Sequence, residues 1–359
     1  MPTAIITGSG GLIGSECVRH FIGRGFHVAG LDNNMRAQFF GPEASTAHVT
    51  DSLRRCYPEF SSFDLDIRDA VGVDRVFADN AHDLELVVHT AAQPSHDWAA
   101  TDPATDIAIN VNGTLNLLEA VRRHKPEATF IFTSTNKVYG DTPNRLPLVE
   151  LDKRLELRED HPYFSGVDTS MSIDRSTHSL FGVSKTAADL LVQEYGHYFG
   201  IPTVCFRFGC VTGPYHTGVQ MHGFLAYLMK CAIDGSPYTV FGYGAKQVRD
   251  NIHASDVARA FDAFRSAPGV GAVYNLGGGR ACNCSVLEAI EFCERISGHQ
   301  LRWGLRDHPR TGDHRWWISD VAAFQSDYPE WRLEYTLESL LHEIHDHNVE
   351  RWSTGDEAS

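Results

Sequence analysis

The 359-residue sequence lacks the cysteine and histidine patterns of a zinc site or a thiol redox motif. Its eight cysteines include no CxxC pair, so we expect reduced thiols, most of them in the core. The stretch HEIHDH (342–347) is not HExxH, because Asp346 stands where the second His would be. We interpret it as a solvated helix face and predict no metal site.

Long apolar runs and positive charge are also scarce. No run approaches the ~18 apolar residues of a membrane span, and the start MPTAIITGSGG has no basic segment of a secretory signal. The 31 Lys and Arg residues face 46 Asp and Glu residues, a formal net charge of −15. Binding along a nucleic-acid backbone needs a basic face. We therefore expect a cytoplasmic protein with no membrane or nucleic-acid partner, in which a few local Arg and Lys side chains can still hold a small anion.

The sequence does contain a regular alternation of strand and helix patterns. Apolar runs that are nearly continuous, as in parallel strands buried on both faces, occur at 3–7, 27–31, 84–90, 129–134 and 202–208. Helical patterns separate them, which predicts βαβ units and a parallel sheet. The expected fold class is α/β: a doubly wound parallel Rossmann sheet with a smaller, mostly helical C-terminal lobe for substrate.

We predict a Rossmann domain over 1–211, the C-terminal lobe over 212–352 and a tail over 353–359. Exchange of a strand and a helix between the two units stays open. Within the first domain, segment 141–176 is polar, acidic and rich in Pro and Ser. Because long loops inside compact domains are usually functional, we expect a lid over a pocket there, with a disordered loop as the alternative.

The stretch TGSGGLIGS (7–15) follows the first strand and opens a helix, with glycines three residues apart. Such a turn lets backbone N–H groups and the helix dipole face a pyrophosphate, and a Cβ would collide with the phosphates. The register is not GxGxxG, because Ile13 stands where the third Gly would be. The context favours a dinucleotide site over a merely tight turn. The predicted contacts are Gly8, Gly11, Leu12 and Ile13.

An acidic residue, Asp32, ends the second strand, 24 residues after Gly8. A carboxylate there accepts hydrogen bonds from ribose hydroxyls and repels a 2′-phosphate, which favours NAD over NADP. The alternative is a strand-end cap. Asn33 is beside it, and Asp66 with Ile67 is a candidate border for the adenine, with a plain loop carboxylate as the rival.

Two polar stretches follow the fourth and fifth strands, at the edge of the sheet where α/β sites form. In TAAQPSHDWA (90–99), the small Ala91 and Ala92 let the backbone approach a cofactor. Ser95 and His96 in the same stretch are candidate substrate contacts, although a lone His is also compatible with a structural role.

The next two motifs are FTSTNKVYGD (132–141) and HSLFGVSK (178–185). We expect Thr135 and Asn136 to project where the fifth strand ends, and Asn136 and Lys137 are candidate substrate contacts. Phe181 and Lys185 are one helical turn apart, so they share a face of the following helix.

Together these motifs resemble the extended short-chain dehydrogenase/reductase family of nucleotide-sugar epimerases and dehydratases. The glycine turn, STNKVYGD, HSLFGVSKTAAD and AKQVRDNIHASD occur in the family's order, and the resemblance runs from residue 3 to about 350. It implies NAD as cofactor and a nucleotide sugar as substrate. It also implies a homodimer formed through segments 102–124 and 185–200.

The resemblance assigns roles to individual residues. Thr135 would hydrogen-bond the reacting sugar hydroxyl, and Lys185 would bind the nicotinamide ribose. Arg249 and Arg310 would bind the diphosphate, and Asn110 would join the cofactor-binding residues. A keto-sugar would form by hydride loss, turn over, and regain hydride on the other face.

One position departs from the family pattern, because Phe181 stands where a Tyr would take the hydroxyl proton. Another group could act instead, and candidates are a Thr135-to-Lys185 relay, His178, His96, Tyr163 and Lys137. The reaction could differ, as in a dehydratase, or the protein could bind NAD and a nucleotide sugar without turnover. An introduced substitution is the trivial explanation. We expect NAD-dependent epimerisation, with the group that replaces the Tyr left open.

Overall fold

A computed structural model describes residues 1–216, 218–220 and 222–353. The fifteen strands within the described residues are β1 Thr3–Thr7, β2 His27–Leu31, β3 Phe60–Phe63, β4 Leu84–His89, β5 Thr129–Thr135, β6 Val149–Glu150, β7 Leu155–Glu156, β8 Thr203–Phe208, β9 Cys210–Thr212, β10 Tyr238–Phe241, β11 Val248–His253, β12 Ala272–Leu276, β13 Asn283–Ser285, β14 Trp303–Arg306 and β15 Trp316–Trp317.

The α-helices of the same residues are α1 Leu12–Gly23, α2 Met35–Phe40, α3 Ala47–Cys56, α4 Ala70–Asn80, α5 His96–Thr101, α6 Pro103–Ile107, α7 Thr114–His124, α8 Leu180–Phe199, α9 Phe224–Asp234, α10 Ala254–Ser266, α11 Val286–Ser297, α12 Ala322–Asp327 and α13 Leu337–Ser353. A π-helical turn, Ala108–Gly113, joins α6 to α7. Short 3₁₀ turns include Asn136–Tyr139, directly after β5.

Seven parallel strands form the central sheet in the order β3-β2-β1-β4-β5-β8-β12. The strand order reverses between β1 and β4, which opens a crevice at the carboxyl ends of these strands. This is the predicted doubly wound α/β fold.

Both faces of the sheet are covered, which explains why its strands are apolar at nearly every position. Ile6 faces α1, α3 and α10, where its neighbours in one core cluster include Phe21 and Phe261. Ile5 points to the opposite face and joins a second cluster with Leu117 of α7 and Val192 of α8. Alternate residues of one strand therefore fill two separate cores.

The chain beyond residue 211 contributes to both units. β12 is the seventh strand of the central sheet, beside β8, and α10 covers that sheet. The rest forms the smaller lobe, in which α9, α11 and α13 pack around a core of their own with β10. The boundary near residue 211 stays a prediction. One strand, β12, and one helix, α10, come after it in the sequence but pack with the first unit.

Segment 141–176 is an ordered strap. Val167 pairs with the second lobe, where its N–H donates to Ile318 O at 2.7 Å. Leu157 and Met171 are buried in a cluster with Trp316 and Trp317. No residue of this segment lines the cavity described below. The structure thus corrects the expectation of a lid: the segment fastens the two units together.

A buried ion pair fixes α8 against the sheet. Arg207 of β8 donates to Asp189 of α8 through two nitrogens, at 2.8 and 3.1 Å, and both side chains are almost fully buried. Arg207 also donates to the Tyr139 hydroxyl at 3.1 Å, which in turn donates to Asn275 at 2.8 Å. Because breaking a buried pair leaves an uncompensated charge, this network holds the start of α8, with Phe181, at the end of β5.

Candidate active site

One cavity of about 520 Å³ lies along the carboxyl ends of the central strands, between the sheet and the second lobe. It extends from the glycine turn after β1 to the segment 310–313 of the second lobe. The cavity collects nearly all of the site residues predicted from the sequence: Gly8, Gly11, Leu12, Ile13, Asp32, Asn33, Asp66, Ile67, Ala91, Ala92, Ser95, His96, Thr135, Asn136, Lys137, Phe181, Lys185, Arg249 and Arg310.

The glycine turn packs too closely against its own chain to hold side chains. Gly8 has φ +67°, and a Cβ on it would lie 2.8 Å from Ala91 N. A Cβ on Gly14 would lie 2.0 Å from Gly8 O. No side chain caps the first turn of α1, where Leu12 and Ile13 line the cavity. A tight glycine turn that leads into an uncapped helix start at a cavity fits a dinucleotide pyrophosphate.

Asp32 faces the cavity and also orders the loop around it. Its carboxylate accepts from Gly10 N at 2.9 Å and from Asn34 N at 2.8 Å. Burial raises its pKa, and these two hydrogen bonds oppose the shift. The strand-end cap is therefore real, and it holds the carboxylate where a ribose contact is predicted.

A second carboxylate, Asp66, lines the cavity near Asn33. Asp66 accepts from Asn33 Nδ2 at 3.0 Å and from Arg68 at 2.7 Å. Despite the opposing effect of burial, the Arg68 guanidinium lowers the Asp66 pKa, so the group is ionised. Ile67 beside it is buried and presents an apolar surface to the cavity.

Thr135, the last residue of β5, and Lys185 of α8 both line the cavity. The Thr135 hydroxyl oxygen accepts from Lys137 N at 3.2 Å, which leaves its O–H free to donate. Lys185 Nζ donates to Thr133 O at 2.8 Å and lies 4.1 Å from the Phe132 ring centroid. Burial lowers the Lys185 pKa to about 8.

Phe181 lines the cavity one turn before Lys185 and is 7% exposed. Its ring packs edge-on against His96, with 4.9 Å between the centroids. His96 Nδ1 lies 2.7 Å from the oxygen of Ser179, which caps α8 by accepting from Gly182 N at 3.1 Å. Burial, together with the charges of Lys137 and Arg310, lowers the His96 pKa to about 3, so the imidazole is neutral.

The Nδ1 atom of His96 is engaged by the Ser179 hydroxyl, which can donate to a bare ring nitrogen or accept from a protonated one. The same Ser179 oxygen accepts from Gly182 N. In either tautomer the low pKa makes the His96 ring a weak base.

Two of the residues considered as replacements for the Tyr lie elsewhere. His178 does not line the cavity, and its Nε2 donates to Val138 O at 2.7 Å. Tyr163 packs in the strap, against the cluster that contains Trp316 and Trp317. Neither side chain reaches the site.

The far end of the cavity carries an excess of positive charge. Arg249 is buried, forms an ion pair with Asp313, and donates to Val248 O at 2.7 Å. Arg310 and Lys137 line the same region. Two arginines against one carboxylate, with Lys137 nearby, give this end of the cavity an excess of positive charge in a chain of net charge −15.

Asn110 is the one predicted site residue that does not line the cavity. It is 2% exposed, and its amide is fully used behind the site. It accepts from Gln93 N at 2.9 Å and donates to Asp106 and Ser184 at 3.1 and 3.0 Å. The expected direct contact with a cofactor is corrected to a positioning role behind α8.

Sequence reasoning missed seven charged or titratable residues of the cavity: Arg36, Cys210, Tyr215, His216, His222, Tyr238 and Asp313. Asp313 follows Arg310 by three residues in RTGDH, and that spacing could have indicated it. Arg36 Nη2 lies 3.5 Å from His222 Nδ1, a contact between α2 and the start of the second lobe. No local sequence pattern predicts this contact between Arg36 and His222, because the two residues are far apart in the sequence.

The described residues contain neither a membrane-spanning helix nor a cluster of metal ligands. None of their helices is long and apolar enough to cross a membrane. No group of three or more His, Cys, Asp and Glu side chains within them is placed to hold a metal ion.

Fold and cavity together place a glycine turn of the dinucleotide-binding type and a cluster of cations along one crevice. The chain belongs to the NAD dependent epimerase/dehydratase family, whose model matches residues 4–277. It is 30% identical over 353 residues to CDP-paratose 2-epimerase of Salmonella typhi, covering 95% of this chain and 98% of that protein.

It is also 31% identical over 351 residues to dTDP-glucose 4,6-dehydratase 1 of Escherichia coli (strain K12). That match covers 93% of this chain and 89% of the dehydratase. Among solved structures, UDP-glucose 4-epimerase of Thermus thermophilus in complex with NAD is similar with a TM-score of 0.76. That chain is 24% identical, with 96% of this chain and 98% of the other covered. The likeness confirms the fold.

Proposed function

We propose that the protein is an NAD-dependent epimerase of a nucleotide-activated sugar, acting by transient oxidation and hydride return. The observation that carries the proposal is the shared cavity, which joins an uncapped glycine turn, the Thr135 and Lys185 pair, and the arginines at its far end. The similarity to CDP-paratose 2-epimerase over nearly the whole chain supports an epimerase and makes CDP-linked sugars the first candidates.

Each part of the cavity has a role in this proposal. The amides at the start of α1 bind the cofactor's pyrophosphate, and Asp32 binds its adenosine ribose. Bound NAD supplies the hydride acceptor. Lys185 binds the ribose at the reacting end, and Thr135 holds the sugar hydroxyl with its free O–H. Arg249 and Arg310 bind the sugar's diphosphate.

A dehydratase is the second candidate, because the Escherichia coli dTDP-glucose 4,6-dehydratase 1 is as similar to this chain as the epimerase. Water elimination involves the carbons next to the oxidised one, so it exchanges hydrogen with solvent. Phe181 supports a third candidate, a protein that binds NAD and a nucleotide sugar without converting them.

The test is a panel of CDP-, UDP-, GDP-, ADP- and dTDP-linked hexoses with purified protein and NAD, followed by NMR. The proposed function predicts a new epimer from at least one of them, with no net gain of reduced cofactor. Tight binding of a nucleotide sugar with no conversion in the whole panel would contradict it and leave the binding protein.

The homodimer expected from the sequence stays part of the proposal. Leu180, Val183 and Leu190 form an exposed aliphatic stripe on α8, each close to half exposed. Their helical spacing puts them on one face. A second copy of α8 can bury this stripe, as in the predicted contact through 102–124 and 185–200. The cytoplasmic location likewise stays a prediction.

Leu190→Glu is expected to weaken the dimer about 100-fold or more, because each interface would bury two unpaired carboxylates. Sedimentation velocity measures the change. Val71→Glu is the control, since Val71 is an 81% exposed aliphatic residue on α4. A dimer that Leu190→Glu leaves intact would show that α8 is not the interface.

A further inference from the structure

The epimerase proposed above must move a proton as well as a hydride. When a sugar hydroxyl is oxidised, the C–H bond gives up a hydride and the O–H bond gives up a proton. Phe181, at the start of α8, has no atom that can accept or donate that proton. The side chains around it therefore decide whether the site can complete the reaction.

Several of those side chains already form hydrogen bonds or ion pairs with other protein groups. The Lys185 amine is 4% exposed and donates to Thr133 O at 2.8 Å. Burial lowers the His96 pKa to about 3, which makes it a weak base, and its Nδ1 is engaged with Ser179. Asp313 is held by the Arg249 ion pair, and the charge of Arg249 lowers its pKa despite burial.

The remaining titratable groups of the cavity wall are poor proton acceptors or lie apart. Burial raises the pKa of Cys210 to about 11 and that of Tyr238 further, so both stay protonated. Burial lowers the pKa of His216 to about 3, which makes it a weak base. Tyr215 stacks under Arg19, with the guanidinium 3.8 Å from its ring centroid.

Lys137 is different in both position and partners. Its backbone N–H donates to the Thr135 hydroxyl oxygen at 3.2 Å, so the two side chains leave the same tight turn after β5. That turn packs directly on the first turn of α8, where a Cβ on Gly182 would lie 3.1 Å from Lys137 O. The amine is half-buried, lines the cavity, and forms no hydrogen bond or ion pair with any residue that the structure describes.

We propose that Lys137 is the catalytic acid/base that works in place of the missing phenol. As the carbon–oxygen double bond forms, the hydride leaves with its electron pair to NAD and the hydroxyl proton moves to Lys137 Nζ. After the keto-sugar turns over, the hydride returns to the opposite face of the carbon. The Lys137 ammonium then returns its proton to the oxygen, so that protons and electrons balance.

The electrostatic surroundings suit this role. Burial lowers the Lys137 pKa to about 8, although the Asp313 carboxylate opposes the shift. Only the neutral amine accepts a proton, so turnover is expected to rise with pH through about 8. The titratable or charged side chains that influence Lys137 or are influenced by it are Asp313, Arg249, Arg310, Cys210, His96 and His314.

Lys137→Met in the full-length protein with NAD is expected to lower kcat by about 10²–10⁴-fold. The Kd of the nucleotide sugar, measured by calorimetry, is expected to change far less, and the pH dependence near 8 to disappear. Lys137→Arg keeps the charge but cannot release a proton, so it is expected to be equally slow. Lys153→Met, at an exposed ion pair with Glu291, is the control and is expected to match the wild type.

A second variant separates acid/base chemistry from a structural role. Phe181→Tyr in the Lys137→Met background supplies a phenol at the family's position and is expected to restore kcat at least tenfold. A loss caused by altered folding or binding would not be restored this way. Thermal unfolding of each variant measures folding directly.

A measurement without turnover completes the test. The chain has only six lysines, so NMR of protein labelled at the lysine side chains, with Lys137→Met for assignment, gives the pKa of Lys137. We expect a value near 8, and a value near that of a free lysine would overturn the proposal. Unchanged kcat in Lys137→Met, or full activity in Lys137→Arg, would overturn it too while leaving the epimerase function intact. A wild type that converts no nucleotide sugar would instead overturn the function itself.

Discussion

Replacement of Lys185 by Met is expected to lower kcat by about 10³-fold, within the range found for loss of a group acting at the reacting end. The Lys185 amine contacts Thr133 O and the Phe132 ring of β5, and Met keeps the length of the side chain without the charge or the N–H donors. Because burial already penalises the charged amine, the apolar replacement is not expected to destabilise the fold.

Steady-state kinetics and calorimetric titration with NAD measure the two consequences. We expect weaker NAD binding as well as slower turnover, since Lys185 is proposed to hold the cofactor's ribose. Lys125→Met, at an ion pair with Glu127 beyond the end of α7, is the control. A Lys185→Met variant whose kcat and NAD affinity stayed within about threefold of the wild type would exclude the assigned role, since that difference is below 1 kcal/mol.

Gly14→Ala is expected to weaken NAD binding by about 100-fold or more, a loss of at least ~2.7 kcal/mol. A methyl group there would lie 2.0 Å from Gly8 O, so the turn that faces the pyrophosphate has to move. The N–H groups at the start of α1 would move with it. Calorimetry of NAD binding measures the effect, and urea unfolding shows how much of it is lost stability.

The same helix supplies a matched control for this substitution. Gly23 is the last residue of α1, and a Cβ on it would meet nothing within 4 Å. Gly23→Ala is expected to leave NAD affinity unchanged. Equal NAD affinity in the two variants would show that the close approach of Gly14 to Gly8 is irrelevant to cofactor binding.

The sequence predicted those features that depend on a single segment of the chain. The apolar strands, the glycine turn and the one-turn spacing of Phe181 and Lys185 are local patterns, and the structure has them as predicted. Parallel strands bring their carboxyl ends to one edge, so motifs that follow β1, β4 and β5 had to converge there. Convergence of Thr135 and His96 was predictable for the same reason.

Contacts between distant segments were not predictable in this way. The amide of Asn110 is used by Gln93, which lies seventeen residues earlier and behind the cavity wall. The polar composition of segment 141–176 predicts a lid, because composition alone does not reveal that Val167 pairs with Ser319. Asp313 was missed because its partner, Arg249, is 64 residues away.

The structure shows what surrounds Phe181, which the sequence does not. From the sequence it is only a missing phenol. In the structure the ring packs edge-on against His96, and the Lys137 turn lies against the first turn of the same helix. The site therefore keeps a buried aromatic residue at this position, and the same cavity is lined by a lysine whose amine has no hydrogen bond or ion pair within the described residues.

The most direct test of the account is the reaction run in D₂O with the nucleotide sugar that the panel identifies, followed by NMR and mass spectrometry of the product. Hydride return predicts an epimer with no deuterium on the inverted carbon, because the same hydrogen leaves and comes back. Deuterium on that carbon would contradict hydride return. Deuterium on a neighbouring carbon, with loss of water, would contradict epimerisation and make the protein a dehydratase.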